Sequence, residues 1–294
     1  MKTPAKCADF LANDVSYQQW RKNRLDSYPE KVYDIIIGIE TMTHLTGTER
    51  KAILMSCRSS NMAIYRCHEK PVDRSAIKTF AAQLGLERLD YHLCSNPDGV
   101  SELEVAADCQ KSAYVPYSNR SLSWHTDGYY NQKPDQVNAV VLHCDQSAGS
   151  GGENALLDPE LAYIHLRDED PRYIKALEHP GCMLIPENRM PDGGVRAAVA
   201  GPVFSYDVGG RIHMRFSARR KNIQWREDTV TREARQCLLS LLADENGPVF
   251  RYRLQAGEGL VSNNVLHNRT TFSDHTTQKR LLYRARYFDR IETS

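Results

Sequence analysis

Apolar positions in the first hundred residues recur mostly at helical spacing, with one short strand-like stretch among them. Local signals support this pattern, because Thr46 can cap the second apolar stretch and Gly85 can end the last one. The predicted elements are a helix over residues 30–44, a helix over 46–58, a strand over Met62–Cys67 and a helix over 73–84. Residues 1–100 are therefore expected to form a mixed helical N-terminal region.

Beyond residue 100 the pattern changes to short β-like segments separated by turn residues. The predicted strands cover residues 103–106, 136–143, 155–157, 203–208, 212–216, 249–255, 259–262 and 280–288. Helical insertions are predicted over residues 159–166, 170–177 and 229–244. Many short strands after a helical start are typical of an antiparallel double sheet with helices packed outside.

The predicted fold is thus mainly β with helical elaborations, built on a double-stranded β-helix (jelly-roll) core over residues 101–294. No linker or internal repeat divides the chain, so residues 1–294 are expected to form a single domain.

Composition and charge indicate which classes of partner to expect, but they do not indicate the reaction. Among 294 residues, 41% are hydrophobic and 26% charged, with a formal net charge of +1, as in an ordinary globular protein. Such a balance gives no electrostatic reason to expect nucleic acid or a membrane as partner. Without a secretory leader or an 18-residue apolar run, a cytoplasmic location is expected. The eight cysteines are scattered and are expected to be reduced thiols, and the sequence leaves open whether the chain forms a homo-oligomer.

The most informative side chains are His125 and Asp127, at the end of a β-like run, and His267 about half a chain later. Residues i and i+2 of a strand point to the same side, so His125 and Asp127 can hold one ion while Thr126 faces away. Two imidazoles and one carboxylate form a facial triad that leaves three coordination positions of Fe(II) open. A His-x-Asp pair also arises by chance in a chain with ten histidines, so the pattern needs support from its context.

Four sequence blocks give that context: Trp-His-Thr-Asp-Gly at 124–128, Gly-Gly-Glu-Asn-Ala-Leu-Leu-Asp at 151–158, Leu-His-Asn-Arg at 266–269 and Arg-Leu-Leu-Tyr-Arg at 280–284. Because of these blocks and their order, the chain from about residue 117 to 290 resembles the TauD/TfdA group of Fe(II)- and 2-oxoglutarate-dependent dioxygenases. The resemblance implies iron held by His125, Asp127 and His267, with 2-oxoglutarate and O₂ as co-substrates. It implies hydroxylation of a small polar or charged molecule with release of succinate and CO₂. Asp127 favours hydroxylation, because halogenating relatives lack this carboxylate.

The resemblance also suggests residues for the co-substrate. Arg280 lies thirteen residues after His267, where the family has the arginine that binds 2-oxoglutarate, and a guanidinium pairs well with a carboxylate. Arg284 shares a strand face with Arg280 and is expected to contact either the co-substrate or an anionic substrate group. Asn154 stands where taurine dioxygenase-like enzymes have Thr and is expected to hydrogen-bond 2-oxoglutarate. The competing interpretation is that these arginines, with Arg286 and Arg290, form the solvated face of an edge strand.

Two substrate classes remain open at the level of sequence. An anionic group would fit a cationic cluster made by His213, Arg215, Arg219, Arg220 and Arg284. A quaternary ammonium, as in the γ-butyrobetaine hydroxylase members of the group, would fit an aromatic cage made by Trp124, Tyr129, Tyr130 and Tyr283.

Two alternative functions use the same three ligands: a non-catalytic metal-binding jelly-roll protein, and a metal-dependent hydrolase that activates water. Structural zinc sites have closed tetrahedral shells, whereas two histidines and one aspartate leave an open site, which disfavours the non-catalytic protein. The hydrolase gives Arg280 and Asn154 no role. His143 and Cys144 are expected to be core residues of an apolar strand, and His275 is expected to be exposed.

Overall fold

The computed structural model describes residues 10, 13–69, 71–92, 95–106, 114–189, 194–219, 221–275 and 278–291. Within these ranges the chain forms six α-helices: α1 (Asp14–Asp26), α2 (Gly47–Ser60), α3 (Arg74–Ala82), α4 (Pro159–Glu169), α5 (Pro171–Leu177) and α6 (Thr229–Ala243). Strands up to residue 157 are β1 (Ile36–Ile39), β2 (Met62–Cys67), β3 (Ser101–Leu103), β4 (Leu122–His125), β5 (Ala139–Gln146), β6 (Ser150–Gly151) and β7 (Asn154–Leu157).

The later strands alternate with helices α4 to α6 along the chain. They are β8 (Met183–Ile185), β9 (Asn188–Arg189), β10 (Val195–Arg196), β11 (Val199–Gly201), β12 (Phe204–Tyr206), β13 (Ile212–Met214), β14 (Gln224–Trp225), β15 (Phe250–Tyr252), β16 (Glu258–Ser262), β17 (Leu266–Arg269), β18 (Phe272–Ser273) and β19 (Leu281–Tyr287).

Two sheets dominate the architecture. The larger has six strands in the order β1-β2-β16-β5-β19-β3, and the smaller has four in the order β15-β7-β17-β4. All their neighbouring strands are antiparallel except β1 and β2, which are parallel. A buried cluster joins the facing sides of the two sheets, with members Leu103, Cys144, Leu156, Phe250, Leu260 and Leu282. No sheet closes into a barrel among the described strands, so the structure shows a β-rich fold with two facing open sheets.

The alternation of side chains explains how the larger sheet serves two purposes. On β19, Ala285 and Tyr287 pack with helices α2 and α3 in one apolar cluster. Leu282 and Arg284 point to the opposite side, toward the smaller sheet. One face of the sheet is therefore an apolar core, while the other face carries the polar groups described below.

Capping explains why most helices begin where the sequence predicts. Thr46 and Glu49 form a reciprocal capping box at the start of α2, and the side chain of Asp73 accepts from the N–H of Ala76 at the start of α3. Asn61, with φ of +57°, ends α2 in the left-handed conformation.

The predicted helix over residues 30–44 is wrong. This segment forms a single 3-10 turn, Val32–Ile35, and then β1, which pairs in parallel with β2. Its run of isoleucines is apolar enough for either structure, and β-branched residues favour a strand. Helix α1 was not predicted, because its apolar positions are few and its sequence is largely polar.

Candidate functional site

His125 and His267 lie opposite each other on neighbouring strands of the smaller sheet. His125 ends β4, His267 lies in β17, and the two are register partners with ring centres 4.3 Å apart. Asp127 follows two residues after β4, and one ligand atom from each of the three side chains lies within 4.8 Å of the others. Both His125 and Asp127 are buried, and His267 is half-buried. The structure thus brings the three predicted ligands to one point.

Each imidazole is oriented by a backbone carbonyl. Nδ1 of His125 lies 2.9 Å from the carbonyl oxygen of Ser123, and Nδ1 of His267 lies 2.9 Å from that of Val265. A carbonyl only accepts, so the proton of each neutral ring sits on Nδ1 and the lone pair on Nε2. Burial, and then the proximity of His267, lower the pKa of His125 to about 3. The two Nδ1 contacts therefore leave Nε2 of each ring available to a metal ion.

The carboxylate of Asp127 is held ionised by surrounding cations. Burial by itself raises the pKa of Asp127, but Arg284 and then Arg286 hold it below the ordinary value. Arg284 Nη1 donates to Oδ1 over 3.2 Å, and Arg286 Nη1 lies 4.0 Å away. Oδ2 is buried and has no hydrogen-bond partner among the described residues. An ionised buried oxygen without a donor is costly, and a cation between the three side chains would satisfy it.

A cavity between the two sheets connects this cluster with Arg280. Its polar lining comprises Asp127, Asn154, Ser262, His267, Asn268, Arg269, Arg280 and Arg284, and its apolar lining comprises Leu103, Pro116, Leu122, Val140, Leu142, Leu156 and Leu260. Asn154 and Arg280 also line a smaller adjoining cavity. The three predicted co-substrate residues therefore share one cavity with two of the three candidate ligands.

Arg280 is 5% exposed, and Asp274 Oδ1 accepts from its backbone N–H over 2.9 Å. Nη1 of Arg280 has no hydrogen-bond partner in the described part of the chain, and the guanidinium lies over the ring of Phe272, 4.8 Å from its centre. Burial lowers the pKa of Arg280 to about 10, which leaves it charged at neutral pH. A buried cation with a free donor that faces a cavity is suited to bind a carboxylate.

Arg269 is a cavity residue that the sequence analysis did not single out. Its guanidinium donates to the carbonyls of Ser118 and Arg120 over 2.8 and 2.6 Å and lies 4.9 Å from the centre of the Phe272 ring. Arg269 thus fixes the chain that leads into β4. Its position two residues after His267, in the Leu-His-Asn-Arg block, could have identified it as a residue of the site.

The arginines of β19 do not form the solvated face of an edge strand. β19 lies between β5 and β3. Arg284 and Arg286 in this strand and Arg280 just before it are buried, and Arg290 after it is half-buried. Arg286 forms a close ion pair with Asp90 and donates from Nη1 to the hydroxyl of Tyr130 over 2.9 Å. The interpretation as an exposed edge is wrong, because the facing sheet and the segment around Asp90 cover these side chains.

Tyr129 and Tyr130 lie next to the candidate ligands. The Tyr129 ring is T-shaped to His125 with centres 6.4 Å apart, and its hydroxyl accepts from Arg219 over 3.3 Å. The Tyr130 ring has the guanidinium carbons of Arg196 and Arg286 at 5.3 and 5.8 Å from its centre. Both tyrosines therefore already interact with arginines.

The other proposed cage residues lie elsewhere. Trp124 packs against the apolar cluster around α4 to α6. Tyr283 packs against the cluster on the α2 and α3 side of the larger sheet. The structure therefore does not gather the four aromatic residues into one cage.

His213 and Arg215 do not belong to the cavity lining described above. Arg215 donates to four backbone carbonyls, those of Tyr129, Met183, Val199 and Gly201. His213 is buried in β13, where burial and then Arg290 lower its pKa to about 3. Arg219 is exposed, and Arg220 lies outside the described residues. The predicted cationic cluster is thus reduced to Arg284, together with Arg286.

The cysteine and histidine predictions outside the site are confirmed for the described residues. Cys57, Cys67, Cys144, Cys182 and Cys237 are free thiols, whereas Cys7, Cys94 and Cys109 lie outside the described residues. His143 is buried, with Nδ1 3.2 Å from the Tyr65 hydroxyl, and His275 is exposed.

In the part of the chain that is described, no helix has the length and apolarity to cross a membrane.

Most of the chain matches a known protein family. Residues 68–286, about three quarters of the chain, match the family described as "Taurine catabolism dioxygenase TauD, TfdA family". This range contains every predicted site residue. No curated protein matches the sequence at a significant level.

Solved structures share the fold at low sequence identity. The chain is similar to the non-heme iron oxygenase OrfP in complex with Fe, succinate and (3S)-hydroxy-L-Arg, at 16% identity and a TM-score of 0.62 over 84% of this chain and 82% of that one. It is similar to asparagine oxygenase in complex with Fe(II), 2S,3S-3-hydroxyasparagine and succinate, at 16% identity and a TM-score of 0.59 over 83% and 80%. It is also similar to PvcB from Pseudomonas aeruginosa, at 16% identity and a TM-score of 0.57 over 86% of both chains.

Proposed function

Because the chain belongs to the TauD/TfdA family of Fe(II)- and 2-oxoglutarate-dependent dioxygenases, we propose that it hydroxylates a small molecule that carries an anionic group. In this reaction 2-oxoglutarate and O₂ are converted to succinate and CO₂, and one oxygen atom enters the substrate. Family membership selects this oxygenase over the non-catalytic protein and the hydrolase considered from the sequence. The observation that supports the proposal best is the convergence of the His125, Asp127 and His267 side chains beside a cavity that contains a buried arginine with a free Nη1.

The metal-binding atoms in this proposal are Nε2 of His125, Nε2 of His267 and Oδ2 of Asp127. The orientation of both rings by carbonyls and the lack of a partner for Oδ2 support this assignment. Fe(II) supplies the oxygen chemistry when bound, and three protein ligands leave room on it for the co-substrates. The protein itself contributes position, charge and exclusion of water.

Arg280 is proposed to bind the distal carboxylate of 2-oxoglutarate. It lines the same cavity as His267, and its free Nη1 can donate to a carboxylate oxygen. Phe272 lies against the guanidinium and restricts its orientation. Asn154 is proposed to donate to the same co-substrate from β7, since its buried side chain lines the cavity beside Arg280.

An anionic substrate group fits the charges of the site better than a quaternary ammonium. Arg284 and Arg286 are buried beside Asp127, and the Tyr130 ring already has two guanidinium groups near it. A trimethylammonium group at Tyr130 would meet these like charges, whereas a carboxylate would be attracted. The similar structures of asparagine oxygenase and OrfP contain hydroxylated amino acids, which carry a carboxylate, and this agrees with the proposal.

We further propose that the two facing sheets form the double-stranded β-helix core of the family and that residues 1–294 make one domain. Strands β1 and β2 support the single domain, because they extend the larger sheet and share an apolar cluster with β5, β16 and β19.

The proposed function is tested with anaerobically purified protein that receives Fe(II), 2-oxoglutarate and ascorbate and is then exposed to O₂. Amino acids, amino sulfonates and betaines are compared for their stimulation of succinate release and O₂ consumption. We expect stimulation by an amino acid or an amino sulfonate. A betaine should give little or none, because its trimethylammonium group would meet the guanidinium groups near Tyr130. A protein that releases no succinate above a His267→Ala control with any compound would contradict the proposal.

A further inference from the structure

Asn264 contacts the backbone of one candidate ligand and lies three residues before another. It is 2% exposed and occupies the turn between β16 and β17, ahead of His267. Its Oδ1 accepts from the N–H of Asp127 over 2.8 Å, and its Nδ2 donates to the carbonyl of Asp127 over 2.9 Å. The same Nδ2 also donates to the carbonyl of Val137 over 2.7 Å. One side-chain amide thus bonds to both backbone polar groups of Asp127.

The strand ladder does not extend as far as Asp127. The pairing of β4 with β17 matches His125 with His267 and fixes the distance between these two residues. Asp127 lies beyond the end of β4, and Thr126 turns toward Phe216, whose carbonyl accepts its N–H. The amide of Asn264 therefore replaces the missing ladder bonds at the third ligand.

The backbone at Asn264 indicates that its side chain is needed. Its φ of +50° lies in the left-handed region, which glycine adopts without strain and other residues adopt at a steric cost. Asparagine tolerates this region better than most residues, yet a glycine would fit the backbone more easily. The turn after Asp127 also requires a particular residue, glycine at position 128, because a Cβ there would lie 2.5 Å from the Val137 side chain.

We propose that Asn264 is a positioning residue that sets where the Asp127 carboxylate stands relative to the His267 imidazole. This inference rests on the metal site assigned under the proposed function. Without the amide, the N–H and carbonyl of Asp127 would be buried without partners, and the segment 126–128 would shift to reach water or other donors. The two histidines would keep their distance, because the ladder holds them. The third ligand alone would be displaced.

The test measures metal affinity and stability separately. Asn264→Gly removes the amide and relieves the left-handed strain, and Asn264→Asp keeps an acceptor for the Asp127 N–H while it loses the donor. Asn222→Gly is the matched control, because Asn222 also has a positive φ, of +64°, but is exposed. Co(II) binding to the metal-free proteins is measured by calorimetry, and the Tm of each metal-free protein is measured in parallel.

We expect Asn264→Gly and Asn264→Asp to bind Co(II) roughly 10- to 100-fold more weakly than the wild type, as is usual when a residue that orients a metal ligand is lost. Asn222→Gly should bind as the wild type does. Wild-type affinity in either folded Asn264 variant would overturn the positioning role while leaving the metal site intact. A wild-type protein that bound no Co(II) would overturn the metal site itself, and this inference with it.

Discussion

His125 and His267 are direct cross-strand partners, and this pairing fixes the separation of their imidazoles before any metal is bound. Two strands of one sheet thereby act as a rigid frame for two of three candidate ligands. Each ring is further held by a carbonyl two residues earlier in its own strand segment, Ser123 for one and Val265 for the other. Such a site needs little reorganisation when it binds a metal ion.

Replacement of either histidine should abolish tight metal binding. His125→Ala and His267→Ala each remove one of the three ligand atoms, so the remaining two cannot hold the ion in facial geometry. We expect a stoichiometric Fe(II) content in the wild type and almost none in either variant, measured by elemental analysis after anaerobic loading and desalting. His275→Ala, a change at an exposed histidine, serves as the control and should load fully.

Arg280→Ala should weaken 2-oxoglutarate binding without loss of iron. A charge-assisted hydrogen bond is worth about 1.5–3 kcal/mol, so the Kd for 2-oxoglutarate should rise roughly 10- to 100-fold. The measurement is an anaerobic titration of the Fe(II)-loaded protein with 2-oxoglutarate. Arg251→Ala, at an exposed arginine of the smaller sheet, provides the comparison. An unchanged Kd in Arg280→Ala would show that Arg280 does not bind the 2-oxoglutarate carboxylate and that another cation of the cavity does.

Arg215→Lys should lower stability more than it alters substrate choice. The Arg215 guanidinium bonds to four backbone carbonyls, and a lysine ammonium cannot reach all of them in the same geometry. We expect a loss of about 2 kcal/mol or more in the free energy of unfolding, determined by urea denaturation. Arg219→Lys changes the same residue type at an exposed position and should have little effect.

Asp228 should stabilise α6 in a pH-dependent way. Its side chain accepts from the N–H and the hydroxyl of Thr231, and these bonds lower its pKa. A depressed folded-state pKa adds stability above the unfolded pKa of about 3.9, and this part is lost as pH falls through the folded value. Asp228→Ala should therefore cost about 1 kcal/mol near neutral pH. The difference should shrink below about pH 4, as followed by urea denaturation across pH.

Asp228→Asn separates the charge of this cap from its hydrogen bond. Asparagine is also a good N-cap, so this variant should lose much less stability than Asp228→Ala at neutral pH. A loss as large in Asp228→Asn as in Asp228→Ala would assign the effect to the charge instead of the cap.

Local signals made parts of the fold predictable. The strand Met62–Cys67 was predicted at its observed bounds, and α3 begins within one residue of the predicted start at residue 73. The structure of segment 30–44 could not be predicted from local signals. It depends on pairing with β2 and not on the spacing of apolar residues within the segment. Local sequence patterns indicate caps and turns. They do not indicate which distant strand a segment will pair with.

The candidate site shows the same division. His125, Asp127, His267 and Arg280 were predicted because their residue types carry the chemistry at recognisable spacings. Asn264 was missed, since an asparagine in a turn is ordinary and its contact with Asp127 spans 137 positions in the chain. Arg215 was predicted to bind substrate because of its charge alone. Its N–H groups instead donate to backbone carbonyls that only the folded chain brings together.

Strand β2 has a consequence for fragments of this protein. It pairs with β16, the strand that leads to Asn264 and His267, and the family match begins at residue 68, directly after β2 ends. A truncated chain that starts at that boundary would leave one side of β16 with unpaired N–H and carbonyl groups. Such strands recruit other chains, so the fragment would aggregate instead of giving a smaller working enzyme. Expression designs should therefore retain the segment that contains β1 and β2.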